Sequence, residues 1–347
     1  MRVSREKDRR VKYLPSKCLG EEMKALYDKD ADLGVIREKR IAVLGYGNQG
    51  RAQALNLRDA GLNVKVGLRK GQSWERAEED GFSPMDIRNA ASWADIIMML
   101  VPDEVQPQVY AEMHDLLHRG QALEFGHGFC IHYGFIIPPE GLDVIMVAPK
   151  APGALVRKTF LEGFGTPALV AVHRDFSGRA MDIAMAIAKG IGATRAGVIK
   201  TTFREETETD NFGEQAVLCG GVSELIMKAF RLLVREGYQP EIAYFEVLHE
   251  LKLIVDLIQS GGLEHMWDGV SNTAEYGGRT RGPRVIDEHV EERMKELLED
   301  IRDGSFAKEW MDEYYREMPE LRRLREKGSN EQIELVGAEL RKLFKRQ

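Results

Sequence analysis

Short apolar runs alternate with helix-like stretches between about residues 40 and 202. The run IAVL precedes a helical stretch at 49–60, LNVKVGL precedes another at 73–80, and residues 177–189 are also expected to be helical. The other strand candidates are ADIIMML, QALEFG, DVIMVAP, PALVAV and ATRAGVI. Because these runs are apolar on both faces, they predict an α/β fold with a doubly wound parallel sheet covered by helices on each side.

The pattern changes after residue 202, where strand-like runs disappear and apolar residues recur at helical spacing. The stretches with this spacing are 215–236, 240–260 and 285–303. A charged tail from residue 320 is expected to form an exposed, partly frayed helix. No spacer rich in Pro, Ser or Gly separates the halves, so we expect two tightly docked domains. The expected division is an N-terminal extension at 1–23, an α/β domain at 24–202 and an all-helical domain at 203–347.

Charge and composition narrow the classes of function. The chain has 49 basic and 56 acidic side chains, mixed along its length, and this balance argues against nucleic acid as the main partner. Its three cysteines lack CxxC spacing, and its longest apolar runs are too short to span a membrane. The first residues show no secretory pattern, so we expect a cytoplasmic protein. An Arg-rich transit peptide is the alternative, which Glu6 and Asp8 weaken.

A glycine-rich turn follows the run IAVL directly and opens the first helical stretch. Glycines in such a turn let the backbone approach a pyrophosphate closely, and the helix N-terminus attracts the anion. The GxGxxG spacing between a strand and a helix therefore predicts a dinucleotide site in a Rossmann domain, with an ordinary Gly-rich turn as the alternative. The candidate cofactor-binding residues of the turn are Gly45, Tyr46, Gly47, Asn48, Gln49 and Gly50.

The second strand candidate ends at Arg69 and Lys70, with Ser73 just beyond and no acidic residue before Glu75. NAD-specific sites usually carry an acid here that binds the ribose, whereas basic and hydroxyl groups suit a 2′-phosphate. We therefore favour NADPH over NADH, with Arg69 and Ser73 as contacts. Solvated loop charges are the alternative interpretation, under which NADH remains possible.

A second candidate wall of the cofactor site follows the run ADIIMML. Ligands of open α/β sheets bind beyond the carboxyl ends of the strands, where this segment lies. A helix start with acidic residues in its first turn is the alternative. The residues of the segment are Asp103, Glu104, Val105 and Gln106.

Two pairs of carboxylates four residues apart lie in the helical half, Asp210 with Glu214 and Glu246 with Glu250. On a helix each pair shares one face, where like charges repel, and both pairs adjoin apolar runs. Burying such charges requires compensation by basic side chains or by a cation. Oxygen ligands suit Mg²⁺ or Mn²⁺, and four carboxylates could hold two ions.

Two polar residues follow strand candidates at positions that would face a bound nicotinamide. His127 comes after QALEFG, and Lys150 comes after DVIMVAP. A histidine in this position suits an acid/base or polarising role. The alternatives are a structural histidine and a surface lysine.

The chain resembles ketol-acid reductoisomerase of the short, class I form in a series of motifs from about residue 24 to beyond Pro283. In chain order the motifs are GYGNQGRAQALNLRDAG, LVPDEVQP, FGHGF, MVAPKAPG, ETDNFGEQAVLCGG, FEVLHELKLIVDLI and SNTAEYG. The resemblance implies a Rossmann domain and a knotted helical domain that interleaves with a second copy in a homodimer or a higher oligomer. It also implies Mg²⁺-dependent alkyl migration in 2-acetolactate or 2-aceto-2-hydroxybutyrate, followed by reduction with NADPH, in branched-chain amino-acid biosynthesis.

Roles for individual residues also come from the resemblance. It implies that two Mg²⁺ ions are bound by Asp210 and Glu214 of one subunit with Glu246 and Glu250 of the other. It further implies that Ser271 contacts the substrate carboxylate and that His127 and Lys150 act beside the metals. The resemblance also implies that Gly153 contacts the cofactor, together with the glycine-rich turn, Arg69, Ser73 and the 103–106 segment.

Three features depart from the family pattern: the short 69–74 loop, Asn211 where Leu is common, and the leader before residue 24. Two other functions are compatible with parts of the sequence. A β-hydroxyacid dehydrogenase would pair the same domain types without a metal. A dinucleotide-sensing module would use the acidic helices only as an oligomer interface.

Overall fold

The computed structural model describes residues 24–344, so the predicted 1–23 extension lies outside the described residues. The strands are β1 (Arg40–Leu44), β2 (Asn63–Gly67), β3 (Ile96–Met99), β4 (Ala122–Phe125), β5 (Asp143–Pro149), β6 (Ala168–Arg174) and β7 (Val198–Lys200). The helices of the first half are α1 (Asn48–Asp59), α2 (Gln72–Glu79), α3 (Ile87–Trp93), α4 (Gln106–Met113), α5 (Phe129–His132), α6 (Gly153–Leu161), α7 (Ala180–Gly190) and α8 (Ala193–Ala196).

From residue 203 the described chain is helical. The helices here are α9 (Phe203–Gly213), α10 (Gly220–Arg235), α11 (Pro240–Tyr244), α12 (Leu251–Asp268), α13 (Asn272–Val285), α14 (Glu288–Arg302), α15 (Ser305–Tyr315), α16 (Pro319–Ser329) and α17 (Gln332–Leu343). Two π-helical turns interrupt the expected helices, one at Glu214–Leu218 before α10 and one at Phe245–His249 between α11 and α12. The α/β plus all-helical fold class predicted from the sequence is confirmed.

The seven strands form one sheet in the order β2-β1-β3-β4-β5-β6-β7. Strands β1 to β5 are parallel, but β6 runs antiparallel to β5 and β7 runs parallel to β6. The prediction of a wholly parallel sheet is therefore wrong at this edge. A strand that is apolar on both faces gives the same sequence pattern in either direction, so its pattern does not set its direction.

Each face of the sheet carries its own apolar core. One core packs α1 and α7 on the sheet, with Leu57 and Ile187 fully buried. The opposite core includes Val109 of α4, and also Phe203 of α9 and Met311 of α15 from the helical half. The helical half thus contributes side chains to a core of the sheet, which agrees with the expected tight docking.

The remaining helices have only a small core of their own, formed by buried residues of α10, α11 and α17. Ile333 and Leu340 of α17 belong to it, so the prediction of a single exposed tail helix is wrong. Apolar side chains on α10 to α13 stay exposed, among them Leu232, Leu253 and Leu263. No helix within residues 24–344 has the length and apolar character needed to cross a bilayer.

Candidate active site

The glycine-rich turn joins β1 to α1 as the sequence predicts. Gly45 has a φ of +102°, which favours glycine, and a Cβ built there would lie 2.6 Å from the carbonyl oxygen of Leu100. A Cβ on Gly50 would lie 2.3 Å from the carbonyl oxygen of Gly45. The turn therefore closes tightly and leaves the N-terminus of α1 beside an open cavity of about 410 Å³.

The wall of this cavity contains six of the predicted dinucleotide residues. Gly45, Tyr46 and Gly47 of the turn line it together with the polar loop after β2 and with apolar residues after β3, including Val105. The Tyr46 hydroxyl does not serve as a free ligand group, because it donates a hydrogen bond to Asp80 (2.9 Å), which also pairs with Arg51. Tyr46 thus ties the turn to the end of α2.

The loop after β2 lines the same cavity with Arg69 and Ser73. Arg69 forms an ion pair with Glu112 of α4. The amine of Lys70 lies 3.3 Å from the ring centroid of Trp74, a cation–π contact within the loop. Ser73 lies in the first turn of α2, where backbone N–H groups are available to an anion.

A second cavity of about 250 Å³ extends from the turn to His127. Its lining residues from the predicted set are Gly47, Asn48, Gln49, Asp103, Gln106 and His127. Gln106 donates hydrogen bonds to the Asp103 carboxylate (3.0 Å) and to the Val101 carbonyl (3.2 Å), so it braces the segment after β3. The cavity connects the dinucleotide turn with the polar residues described below.

The remaining cofactor candidates have different surroundings. Val105 lines the cavity beside the glycine-rich turn, whereas Glu104 faces a separate cavity beside Tyr314. Gly153 is the first residue of α6, and a Cβ built there would lie 1.9 Å from the carbonyl oxygen of Asn48. Gly153 therefore lets α6 pack directly against the turn.

His127 lies among three carboxylates beyond the end of β4. Its Nδ1 is 2.8 Å from Asp103, while its Nε2 lies 3.7 Å from Asp210 and 3.9 Å from Glu206 and has no hydrogen-bond partner within residues 24–344. Burial disfavours the charged ring, but the hydrogen bond to Asp103 and the surrounding negative charges raise the pKa of His127 to about 9. The imidazole is thus held as a proton donor in this cluster.

Lys150, beyond the end of β5, joins the same cluster. Its amine donates to Glu206 and to Asp210, each at 2.8 Å. Burial opposes the ammonium form, yet the two carboxylates raise the pKa of Lys150. The structure therefore brings together His127, Lys150 and Asp210, which the sequence had marked as separate candidates.

The ligand atoms of His127, Glu206 and Asp210 lie within 4.8 Å of one another, the spacing of a possible cation site. Glu214 follows Asp210 at the first position of a π-helical turn, and desolvation together with the charge of Asp210 raises its pKa. Such crowded carboxylates are stabilised by a cation, and their oxygen atoms suit Mg²⁺. The residues present therefore fit a divalent metal.

Three predicted residues lie outside this cluster within the single chain. Glu246 and Glu250 are exposed, at the π-helical turn between α11 and α12. Ser271 is exposed as the N-cap of α13, where its hydroxyl accepts a hydrogen bond from the N–H of Ala274 (3.2 Å). The apolar run around Glu246 and Glu250 does not bury them in their own chain, contrary to the expectation from sequence.

Glu206 belongs to the cluster but was not identified from the sequence. It is 1% exposed, and its second oxygen accepts a hydrogen bond from the N–H of Gly128 (3.1 Å). The sequence contains a pattern that indicates Glu206, because Glu206, Asp210 and Glu214 are spaced four residues apart. Helix α9 places the first two on one face.

A dinucleotide turn and an acidic cluster at the carboxyl ends of β4 and β5 together define the class of dinucleotide-dependent oxidoreductases. Comparison with known proteins specifies the family. Residues 35–197 match the model for the acetohydroxy acid isomeroreductase NADPH-binding domain, and residues 203–346 match the ketol-acid reductoisomerase C-terminal domain. The chain belongs to the ketol-acid reductoisomerase family.

Similar proteins agree with this assignment. A ketol-acid reductoisomerase (NADP(+)) of Methanocaldococcus jannaschii is 59% identical over 92% of this chain and 98% of the relative. The ketol-acid reductoisomerase (NADP(+)) of Methanopyrus kandleri is 59% identical over 91% of this chain and 97% of the relative. A solved NADH-preferring ketol-acid reductoisomerase from an uncultured archean is 50% identical, with a TM-score of 0.91 over 93% of this chain and 100% of that one. The resemblance proposed from the motifs is thereby confirmed.

Proposed function

We propose that this protein converts 2-acetolactate and 2-aceto-2-hydroxybutyrate into 2,3-dihydroxy acids for branched-chain amino-acid biosynthesis. The tertiary hydroxyl of the substrate loses its proton, and an alkyl group migrates to the adjacent carbonyl carbon, whose oxygen takes up a proton. The resulting 2-keto group is then reduced by transfer of a hydride and a second proton. The observation that supports this most strongly is the cluster of His127, Lys150, Glu206 and Asp210 at the end of the cavity that starts at the dinucleotide turn.

The chain's own residues account for the proton transfers. Glu206 is a buried carboxylate that accepts a hydrogen bond from the amine of Lys150. It receives the proton of the tertiary hydroxyl of the substrate. His127 and Lys150 both hold protons in this environment, so they supply the proton that the new alcohol requires. Asp103 fixes the imidazole through Nδ1 and thereby directs Nε2 toward the substrate side.

Two Mg²⁺ ions would be held by Asp210 and Glu214 with Glu246 and Glu250 of a second copy. When bound, they supply Lewis-acid polarisation of the substrate oxygens, and the nicotinamide supplies hydride. Ser271 of the second copy would bind the substrate carboxylate through its hydroxyl.

The exposed face of the helical half supports the proposal of a homodimer with a shared active site. Apolar side chains that would normally be buried remain uncovered on α10 to α13, and α11 and α12 flank the π-helical turn at which Glu246 and Glu250 lie. A second copy is the occupant that would cover this face and bring those carboxylates to the cluster. Interleaving of the two helical domains is part of this proposal, as is the domain division at 202 and 203.

NADPH is the proposed cofactor, with Arg69 and Ser73 at its 2′-phosphate. Both line the cavity beside the glycine-rich turn. The two relatives named as NADP(+) enzymes are 59% identical to this chain, and the NADH-preferring one is 50% identical. The cytoplasmic location expected from the sequence remains a prediction.

An acetolactate assay tests the proposed function. Oxidation of NADPH is followed with and without Mg²⁺, and NADH replaces NADPH in a parallel pair of reactions. We expect oxidation that requires acetolactate and Mg²⁺ together. Activity that persists in chelator would favour a metal-free β-hydroxyacid dehydrogenase, and cofactor binding without turnover would favour a sensing module.

A further inference from the structure

A carboxylic acid lies in the centre of the sheet, outside the cluster described above. Glu124 of β4 is fully buried, and it stands between Met98 of β3 and Ile145 of β5 in the strand register. Met98, Ile145 and Val147 belong to the apolar core on one face of the sheet. A polar group in such a place is costly unless it forms hydrogen bonds, so its presence calls for a physical reason.

A hydrogen bond of the Glu124 side chain joins the two strands that carry the catalytic candidates. Its Oε1 accepts from the backbone N–H of Val147 on β5 (3.2 Å), and its Oε2 has no partner among the residues that the structure describes. Glu124 lies three residues before His127, and Val147 lies three residues before Lys150. The bond therefore links β4 and β5 at points that lie three residues before His127 and three residues before Lys150 in the sequence.

We propose that Glu124 is a positioning residue, whose buried side chain ties β4 to β5 and so sets the placement of His127 relative to Lys150. The inference rests on the proposed function, because it assumes that both residues act on one substrate. In a site of this kind, a displacement of about 1 Å reduces turnover on the order of a hundredfold. A single bond near the strand ends is thus sufficient to matter for the rate.

The carboxyl group acts in its neutral form. Burial raises the pKa of Glu124 to about 8, and the hydrogen bond from Val147 offsets only part of this effect. No charged side chain of residues 24–344 contributes to the shift. At neutral pH the group is therefore a carboxylic acid whose carbonyl oxygen accepts the bond, a part that a glutamine amide can also take.

Three variants test the inference. Glu124→Gln keeps an acceptor of the same shape, Glu124→Met keeps the length without an acceptor, and Met98→Leu is a volume-conserving control in the same core. We expect Glu124→Gln and Met98→Leu to retain kcat within about twofold, and Glu124→Met to lose about tenfold or more. The Kd for NADPH should stay within about twofold in all three, because the dinucleotide turn is separate from Glu124.

The pH dependence of thermal unfolding supplies a second readout. The unfolded chain ionises Glu124 near its ordinary pKa, whereas the folded chain keeps the proton until about pH 8. The wild-type protein therefore loses stability as pH rises through this window, and Glu124→Gln does not lose that contribution. We expect the Tm of Glu124→Gln minus that of the wild type to increase between pH 5 and 8 and then to level off.

Two results would overturn the inference. One is a kcat for Glu124→Gln that falls as far as that of Glu124→Met, and the other is an unchanged kcat for folded Glu124→Met at a temperature well below its Tm. If the methionine variant does not fold, a kcat of Glu124→Gln about tenfold or more below that of the wild type overturns the inference. If the wild type lacked acetolactate turnover, the proposed function would fail, while the Tm comparison would still report on the buried acid.

Discussion

At the residue scale, the candidate site depends on how one imidazole is held. Asp103 binds Nδ1 of His127, which leaves Nε2 directed toward Glu206 and Asp210. Lys150 then bridges these same two carboxylates. Two basic and three acidic groups thus lie close together, and removal of a basic one leaves more unbalanced negative charge in a partly buried place.

Glu206 provides the sharpest test at this scale. We expect Glu206→Gln to reduce kcat on the order of a hundredfold, since the amide cannot accept a proton from the substrate hydroxyl. Binding of NADPH, measured by fluorescence titration, should be nearly unchanged. Glu205→Gln is the matched control, because Glu205 is the exposed neighbour on the same helix. Equal activities of the two variants would remove Glu206 from the mechanism.

Some of these residues could be predicted from the sequence and others could not. His127 and Lys150 follow strand ends, and that position alone brought them into consideration. Glu206 shares the four-residue spacing of Asp210 and Glu214, so this spacing is enough to predict that its carboxylate lies near theirs. The contact of Asp103 with His127 joins two loops that are far apart in the chain, and no local pattern encodes such a contact.

At the element scale, the two π-helical turns change what the carboxylate spacing means. A π turn adds a residue to a helical turn and redirects the side chains that follow. Glu214 begins the first turn, and Glu246 lies within the second. A regular helix was the natural expectation from apolar spacing, because a π turn has no distinct periodicity over so few residues.

The loop between β2 and α2 gives a prediction about cofactor choice. The ratio of kcat/KM with NADPH to that with NADH should exceed one, and Arg69→Ala or Ser73→Ala should lower it by about tenfold, as expected for loss of a phosphate contact. Arg76→Ala is the control for a lost positive charge on α2 beyond the loop. A wild-type preference for NADH would contradict the assignment of Arg69 and Ser73 to the 2′-phosphate.

At the scale of the whole molecule, the two halves differ in how far they bury their own apolar side chains. The α/β half has a continuous core on each face of its sheet, and its strands were predictable from apolar runs between turns. The helical half leaves apolar side chains of α10 to α13 exposed. Periodicity indicates which residues of a helix are apolar but not which chain covers them, so sequence pattern alone could not locate Glu246 and Glu250.

The central claim is that one active site combines carboxylates from two chains. Asp210→Asn and Glu250→Gln should each abolish turnover while leaving NADPH binding nearly intact, since each removes one of the proposed metal ligands. In a mixed dimer of the two variants, one of the two sites would regain both intact carboxylates.

Subunit mixing measures this directly. The two inactive variants are unfolded and refolded together, and the acetolactate-dependent oxidation of NADPH is compared with that of each variant treated alone. Random pairing should restore about a quarter of the wild-type activity, because half of the dimers are mixed and each of these has one intact site. Verified mixed dimers without any recovered activity would contradict a site shared between subunits.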